Sequence, residues 1–248
     1  MNNDPKTFTP EEITERISCV KHWYHQIDLG SGIVTPGVHN SADGLKTLDS
    51  LGLPSDCQSL RVLDIGCRDG FFAFTMEKRG AEVIGIDYAK PDVTGFSVAS
   101  TILGSNVTYL VENVYNLDPE KYGVFDIVLF LGVLYHLRNP LLALDQIRKV
   151  TKPNGLLFLE SHITTHAALS SLDIPAWEFY PRDSLYNDAT NKWGPNIVGL
   201  KAAVEEAQFN IKNSVVEGER AYVAAQATSD AKQEYFRQLD TSIGVFGV

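Results

Sequence analysis

"LRVLDIGCRDGFF", Leu60 to Phe72, decides the fold. Leu60 to Gly66 is a short apolar run closed by glycine, the pattern of a strand buried on both faces of a parallel sheet. Phe71 to Arg79 then suits a helix, and Glu82 to Asp87 of "AEVIGID" a second strand. Downstream the alternation continues, with a helix over Thr94 to Leu103, strand three over Val107 to Val111 and strand four over Phe125 to Phe130 in "FDIVLFLG". A helix over Leu141 to Val150 and strand five over Gly155 to Glu160 come next. Strands alternating with helices at this spacing imply a parallel sheet with right-handed crossovers. Asn196 to Gln208 predicts one more helix, capped by Asn196, and Ile211 to Val216 pairs with Tyr222 to Ala227 as a closing antiparallel ribbon. The expectation is an α/β protein with a mostly parallel seven-stranded sheet, an antiparallel last strand, and helices on both faces.

Upstream, Ile13, Ile17, Val20 and Tyr24 lie at helical spacing after Glu11 and Glu12, which predicts an amphipathic helix over Pro10 to Tyr24. "IDLGSGIVTPG", Ile27 to Gly37, reads as an ordered loop, and Ala42 to Leu51 as a second helix. Between strand five and the last helix lie about 35 residues, His162 to Pro195, too long for an ordinary connection. Trp177, Phe179, Tyr180, Tyr186 and Trp193 in this insertion suit either a lid over a pocket or a small satellite core. The expected organisation is an N-terminal segment 1–58, a main domain 59–228 with a lid insertion 162–195, and a tail 229–248.

The 248 residues are 44% hydrophobic and 21% charged, ordinary values for a globular protein, and no run approaches the roughly 20 apolar residues of a membrane span. The polar start, without an apolar signal region, leads to a cytoplasmic expectation. Three cysteines, Cys19, Cys57 and Cys67, give neither a disulfide framework nor a zinc pattern. His162 and His166 have i, i+4 spacing but no third ligand, so no metal is expected. The net charge of −10 argues against a phosphate-rich partner such as nucleic acid. Oligomeric state is not legible.

Asp64, Gly66, Asp69 and Gly70 stand where strand one turns into a helix. There glycine admits close backbone approach, and helix N–H groups can receive a carboxylate. Asp87, 21 residues after Gly66, is spaced to grip ribose hydroxyls. A dinucleotide fingerprint would need glycines at 68 and 71, where Arg68 and Phe71 stand. Asp64 also suits a cationic amino-acid tail better than pyrophosphate. Together these features point to S-adenosylmethionine.

From Leu60 to Ala227 the chain resembles class I methyltransferases with a Rossmann-like fold, and within them the family related to the tRNA wobble-uridine carboxymethyltransferases. "LDIGCRDGFF", "GIDYA", "FDIVLFLGVLYHLRNPLLAL" and "EFYPRDSLYNDATNKWGPN" carry the resemblance. It implies that the turn with Gly66, Cys67, Arg68 and Gly70 holds the methionine moiety, Asp87 the ribose, and Glu112, Asn113 and Val114 the adenine edge, with Tyr88 a further cofactor-binding residue. Leu131, Gly132 and Tyr135 would line the reacting end. Arg68 replaces the middle glycine of the usual turn. "SADGLKTLDSLG" lacks the basic, tryptophan-rich character of members that use the carboxylated cofactor, which favours plain methyl transfer.

Methyl transfer is an in-line displacement in which positioning supplies much of the rate, with a base needed only for a protonated acceptor. His136 after strand four is one candidate base. His25 and Tyr24, ahead of the glycine-rich loop, form a second candidate group, and His22 is nearby. Trp177, Tyr180 and Trp193 are the candidate acceptor-binding residues. The expected activity is methyl transfer to nitrogen or oxygen, with carbon possible, of a small molecule. The alternatives are modification of a tRNA wobble uridine and a catalytically silent cofactor-binding subunit.

Overall fold

A computed structural model describes residues 8–229; the expected C-terminal tail lies almost wholly outside them. Two helices come first, α1 (Pro10–Ser18) and α2 (Ser41–Ser50), followed by β1 (Arg61–Ile65), α3 (Phe71–Lys78) and β2 (Glu82–Asp87). Then come α4 (Pro91–Thr94), α5 (Phe96–Leu103), β3 (Thr108–Val111), α6 (Pro119–Tyr122), β4 (Phe125–Leu131), α7 (Pro140–Val150) and β5 (Thr151–His162). The chain closes with α8 (Ala167–Ser170), β6 (Trp177–Phe179), β7 (Trp193–Pro195), α9 (Ile197–Glu206), β8 (Phe209–Glu217) and β9 (Arg220–Ala227).

Seven strands form one sheet in the order β3-β2-β1-β4-β5-β9-β8. The first five are parallel, and β9 runs antiparallel to both β5 and β8. β1 reads as a continuous apolar run because both of its faces are covered. Leu63 and Ile65 join the core beneath α7 and α9, while Val62 joins the opposite core with Ala73, Phe74 and Met76 of α3. Chain order reverses between β1 and β4, which opens the crevice at the carboxyl ends of the strands where α/β sheets bind ligands.

The second core also takes Ile13, Trp23, Ile27, Leu29, Leu48, Leu51 and Leu53 from the N-terminal segment. Burying side chains of this size contributes roughly 1.5–3 kcal/mol each, so this segment is held by the same hydrophobic force as the sheet.

Several predicted bounds shift. The first helix stops at Ser18 rather than Tyr24, and the Trp23 indole donates back to the Ile17 carbonyl at 3.1 Å, folding the chain over its helix end. β5 is longer than Gly155 to Glu160, because its C-terminal half keeps pairing with β9 as far as His162–Arg220. The insertion contains its own two-stranded antiparallel sheet, in which Trp177 pairs with Pro195 and Phe179 with Trp193. Its base is fastened by Asn196, whose amide donates to the carbonyls of Leu169, Leu172 and Ile174 while its oxygen accepts from Ala176 and Gly199. Among the described residues no helix is long and apolar enough to cross a membrane.

Candidate active site

Three strand ends build the edge expected to receive the cofactor. Gly66 leaves β1 with φ +75°, and a Cβ there would sit 2.4 Å from Val133 Cγ2, so only glycine fits the turn. Arg68, where the usual motif has glycine, does take the left-handed conformation, at φ +56°. That conformation costs a non-glycine residue about 1 kcal/mol or more, and a 3.0 Å bond from its N–H to Asp87 Oδ2 helps hold it. Asp87 Oδ1 accepts the Ala89 N–H at 2.9 Å. Both Asp87 oxygens thus retain lone-pair capacity for ribose hydroxyls.

Asp64 is buried beside the turn, and its Oδ2 has no hydrogen-bond partner. Burial pushes its carboxyl up to about 7 against the opposing Ala73 N–H, with the charge of Asp87 adding to the rise. An orphaned, buried acceptor at this point fits an ammonium-bearing ligand.

At the end of β3 the residues are more engaged than the motif suggested. Glu112 accepts from Asn113 N, Asn116 Nδ2, Lys121 Nζ and the Tyr122 hydroxyl, and these bonds hold its carboxyl down at about 2. Asn113 caps the short turn by accepting from Tyr115 N, and Val114 is buried. The Glu112 carboxylate is therefore taken up by its own loop, while Tyr88 stands exposed beside Asp87.

Next to this edge lies a cavity of about 630 Å³. Leu131, Gly132, Tyr135 and His136 from the end of β4 form its floor. The N-terminal segment supplies Tyr24, His25 and His39, the insertion Tyr186, Asp188 and Asn191, and the β5–β9 end Glu160, Glu219, Arg220 and Tyr222. The candidates Tyr24, His25 and His136 thus share one cavity with the predicted reacting end.

Asp69 brings the N-terminal segment there. Its fully buried carboxylate accepts the N–H groups of Tyr24 at 2.8 Å and His25 at 2.9 Å and faces His25 Nδ1. The loop over residues 27–37 backs this arrangement. The Thr35 hydroxyl donates to the His25 carbonyl at 2.6 Å, and Gly37 passes so close that a Cβ would lie 2.1 Å from that carbonyl. Burial, with Tyr135 beside it, pushes the Tyr24 phenol up to about 12, which suits it to hydrogen bonding rather than to a base role. His136 is lowered by burial, and its Nδ1 lies 2.9 Å from the Thr190 hydroxyl, which bonds Asp188 at 2.7 Å.

Across the cavity Arg220 pairs with Glu160 through both oxygens and lies over the Tyr135 ring at 4.8 Å. Burial pushes Glu160 up while Arg220 pulls it down.

The proposed acceptor-binding set is placed differently. Trp177 and Trp193 meet edge to face at 6.2 Å, Trp193 also packs on Phe179, and Trp177 packs against the main core. Tyr180 is buried, with its hydroxyl bonded to Glu178 and beside His162. None of the three lines the cavity; they pack within the insertion and against the main core, and the insertion's cavity-lining residues are Tyr186, Asp188 and Asn191. His162 ends β5 and His166 precedes α8, so this pair is not carried on a helix. The sequence reading passed over Glu160 and Arg220. The carboxyl-edge rule marks the first, and the antiparallel register His162–Arg220 delivers the second to the same edge.

A family model described as a methyltransferase domain matches residues 42–212. Ubiquinone biosynthesis O-methyltransferases of Xanthomonas axonopodis pv. citri (strain 306) and Xanthomonas oryzae pv. oryzae (strain PXO99A) are 36% and 32% identical over 110 and 123 residues. These matches cover 44% and 50% of this chain and 46% and 52% of the relatives, so the chain spans about half the length of the curated relatives it matches. The N-terminal domain of EvdMO1, solved in the presence of SAH and D-fucose, has a TM-score of 0.64 at 20% identity over 90% of this chain and 97% of that one, a likeness of fold. With its sheet order, its glycine turn and a family match over most of its length, the chain belongs to the methyltransferase-domain family.

Proposed function

We propose that this protein transfers the methyl group of S-adenosylmethionine to a hydroxyl or nitrogen of a small molecule held in the 630 Å³ cavity. The observation that supports the reading is that Leu131, Gly132 and Tyr135, which the resemblance assigns to the reacting end, line the same cavity as Tyr24, His25 and His136, so donor and acceptor would meet there. When bound, S-adenosylmethionine supplies an electrophilic methyl group on a sulfonium. The chain's own residues bind and align: Asp64 offers an unpaired acceptor to an ammonium, Asp87 offers two oxygens to vicinal hydroxyls, and Gly66 permits close backbone approach.

The names of the relatives favour oxygen as the accepting atom. The cavity charge favours a small neutral acceptor over a tRNA wobble uridine, because Glu160, Asp188 and Glu219 stand against Arg220 alone and would repel a phosphate backbone. The reading includes the main domain with its lid-like insertion as the catalytic unit, and a cytoplasmic setting; Cys19, Cys57 and Cys67 are free thiols.

The test is to incubate the purified protein with methyl-labelled S-adenosylmethionine and cell extract, with and without ribonuclease. The reading expects label in the small-molecule fraction whether or not RNA is digested. Label lost with the RNA would move the target to tRNA, and cofactor binding with no transfer in any fraction would mark a silent binding subunit.

A further inference from the structure

We infer that His25 is the general base of this site and Asp69 its positioning residue, an inference that rests on the methyl-transfer reading above. Asp69 belongs to the cofactor turn, whereas His25 comes from a loop more than forty residues upstream. Two backbone N–H groups meet Asp69 Oδ2, and that alone would staple the loop. Stapling does not account for the third partner, because Oδ1 is turned onto the His25 ring at Nδ1.

A carboxylate only accepts, so the shared proton belongs to Nδ1, and in the neutral ring the lone pair belongs to Nε2. Among the described residues the His25 ring is hydrogen-bonded through Nδ1 and not through Nε2, and His25 lines the cavity. Its orientation is fixed by rings on three sides: Tyr24 at 4.8 Å, Phe71 at 5.8 Å and Phe72 at 5.9 Å.

His136, at the floor of the same cavity, is arranged less directly. Its Nδ1 reaches Asp188 only through the Thr190 hydroxyl, and Thr190 is exposed on the insertion. The charged and titratable groups around His25 include Asp69 and Arg68 from the turn, Tyr24 and His39 from its own segment, and Tyr135, His136, Glu160, Asp188, Glu219, Arg220 and Tyr222 of the same cavity. In the step, the acceptor O–H proton moves to His25 Nε2 and the oxygen electron pair forms the new bond to the methyl carbon. The carbon–sulfur bond breaks with its pair remaining on sulfur, and His25 afterwards returns the proton to water.

Asp69→Asn separates the two roles of Asp69. Its amide oxygen can still accept the Tyr24 and His25 N–H groups, while its NH₂ faces Nδ1 and forces the ring proton onto Nε2. Nitrogen-15 NMR of the histidine rings in the cofactor-loaded protein should show His25 protonated at Nδ1 in the wild type and at Nε2 in the variant. The labelled-methyl rate with ribonuclease-treated extract should fall on the order of 100-fold or more, with the extract concentration for half-maximal rate and the calorimetric cofactor affinity nearly unchanged.

If Asp69→Asn does not fold, His25→Gln, which keeps both backbone bonds to Asp69, should show the same loss of rate. A wild-type His25 protonated at Nε2 overturns the inference, as does a His25→Gln protein that works normally while His136→Gln does not. Failure of the wild type to bind S-adenosylmethionine would instead sink the underlying function.

Discussion

The proposed cofactor edge and the proposed acceptor cavity are built in opposite ways. The cofactor edge is local: Asp64, Gly66, Arg68 and Gly70 are nearly consecutive, and Asp87 is one strand away, so the turn's chemistry is written in a single stretch. The cavity is assembled from six distant stretches, and its character depends on register and loop closure: Asp69 draws in Tyr24 and His25, and β5–β9 pairing sets Arg220 opposite His162, within reach of the Glu160 carboxylate. One region is set by backbone conformation, the other by long-range partners, and the two should fail differently when mutated.

The largest effect should come from Gly66→Val. The new side chain meets Val133 and must take a left-handed conformation, so calorimetry should find cofactor affinity reduced by more than about 100-fold and stability lowered by about 2–4 kcal/mol. Retained affinity would break the claim that backbone shape makes this edge. Next, Asp87→Ala should weaken cofactor binding by about 10–100-fold by removing charged acceptors. A variant that only melts earlier, with unchanged affinity in its folded fraction, would make Asp87 merely structural.

Asp64→Asn sharpens the comparison through pH. Because the folded-state carboxyl sits at about 7 and an unfolded one near 3.9, the native protein binds the extra proton between roughly pH 4 and 7. Stability of the cofactor-free protein therefore gains from this group as pH falls through 7, and melting curves of Asp64→Asn should lack that gain. Cofactor affinity should fall with acid over the same range in the wild type, since an ammonium needs the ionised carboxylate, and should be flatter in the variant. Equal slopes would remove Asp64 from the binding account.

The smallest effect on turnover should come from Trp177→Ala. It should cost roughly 1–3 kcal/mol of stability, as partial truncation of packed aromatic surface, yet leave the labelled-methyl rate within about twofold. A large loss of rate in a well-folded variant would return Trp177 to the acceptor site.

This contrast also explains what could be read in advance. Both-face burial makes β1, β2 and β4 apolar runs, so the sheet and its carboxyl edge were plain from the sequence. The Gly66 turn and Asp87 were legible from spacing. The helix end at Ser18 was not, because Val20 and Tyr24 keep helical spacing while Trp23 folds back and Asp69, far along the chain, holds Tyr24 and His25. Nor could composition tell that Trp177 and Trp193 face each other rather than the cavity: an aromatic residue fills a core as readily as it encloses a ligand. Glu112 shows the converse, since its spacing fits an adenine edge while its carboxylate is occupied by Lys121, Tyr122 and Asn116.

The central claim is a cofactor edge made for S-adenosylmethionine itself, and calorimetric titration of the purified, cofactor-free protein with that molecule and with its carboxylated analogue tests it most directly. The account predicts saturable one-site binding with preference for the plain cofactor, lost in Gly66→Val. Binding of neither molecule, or preference for the carboxylated one, would contradict it.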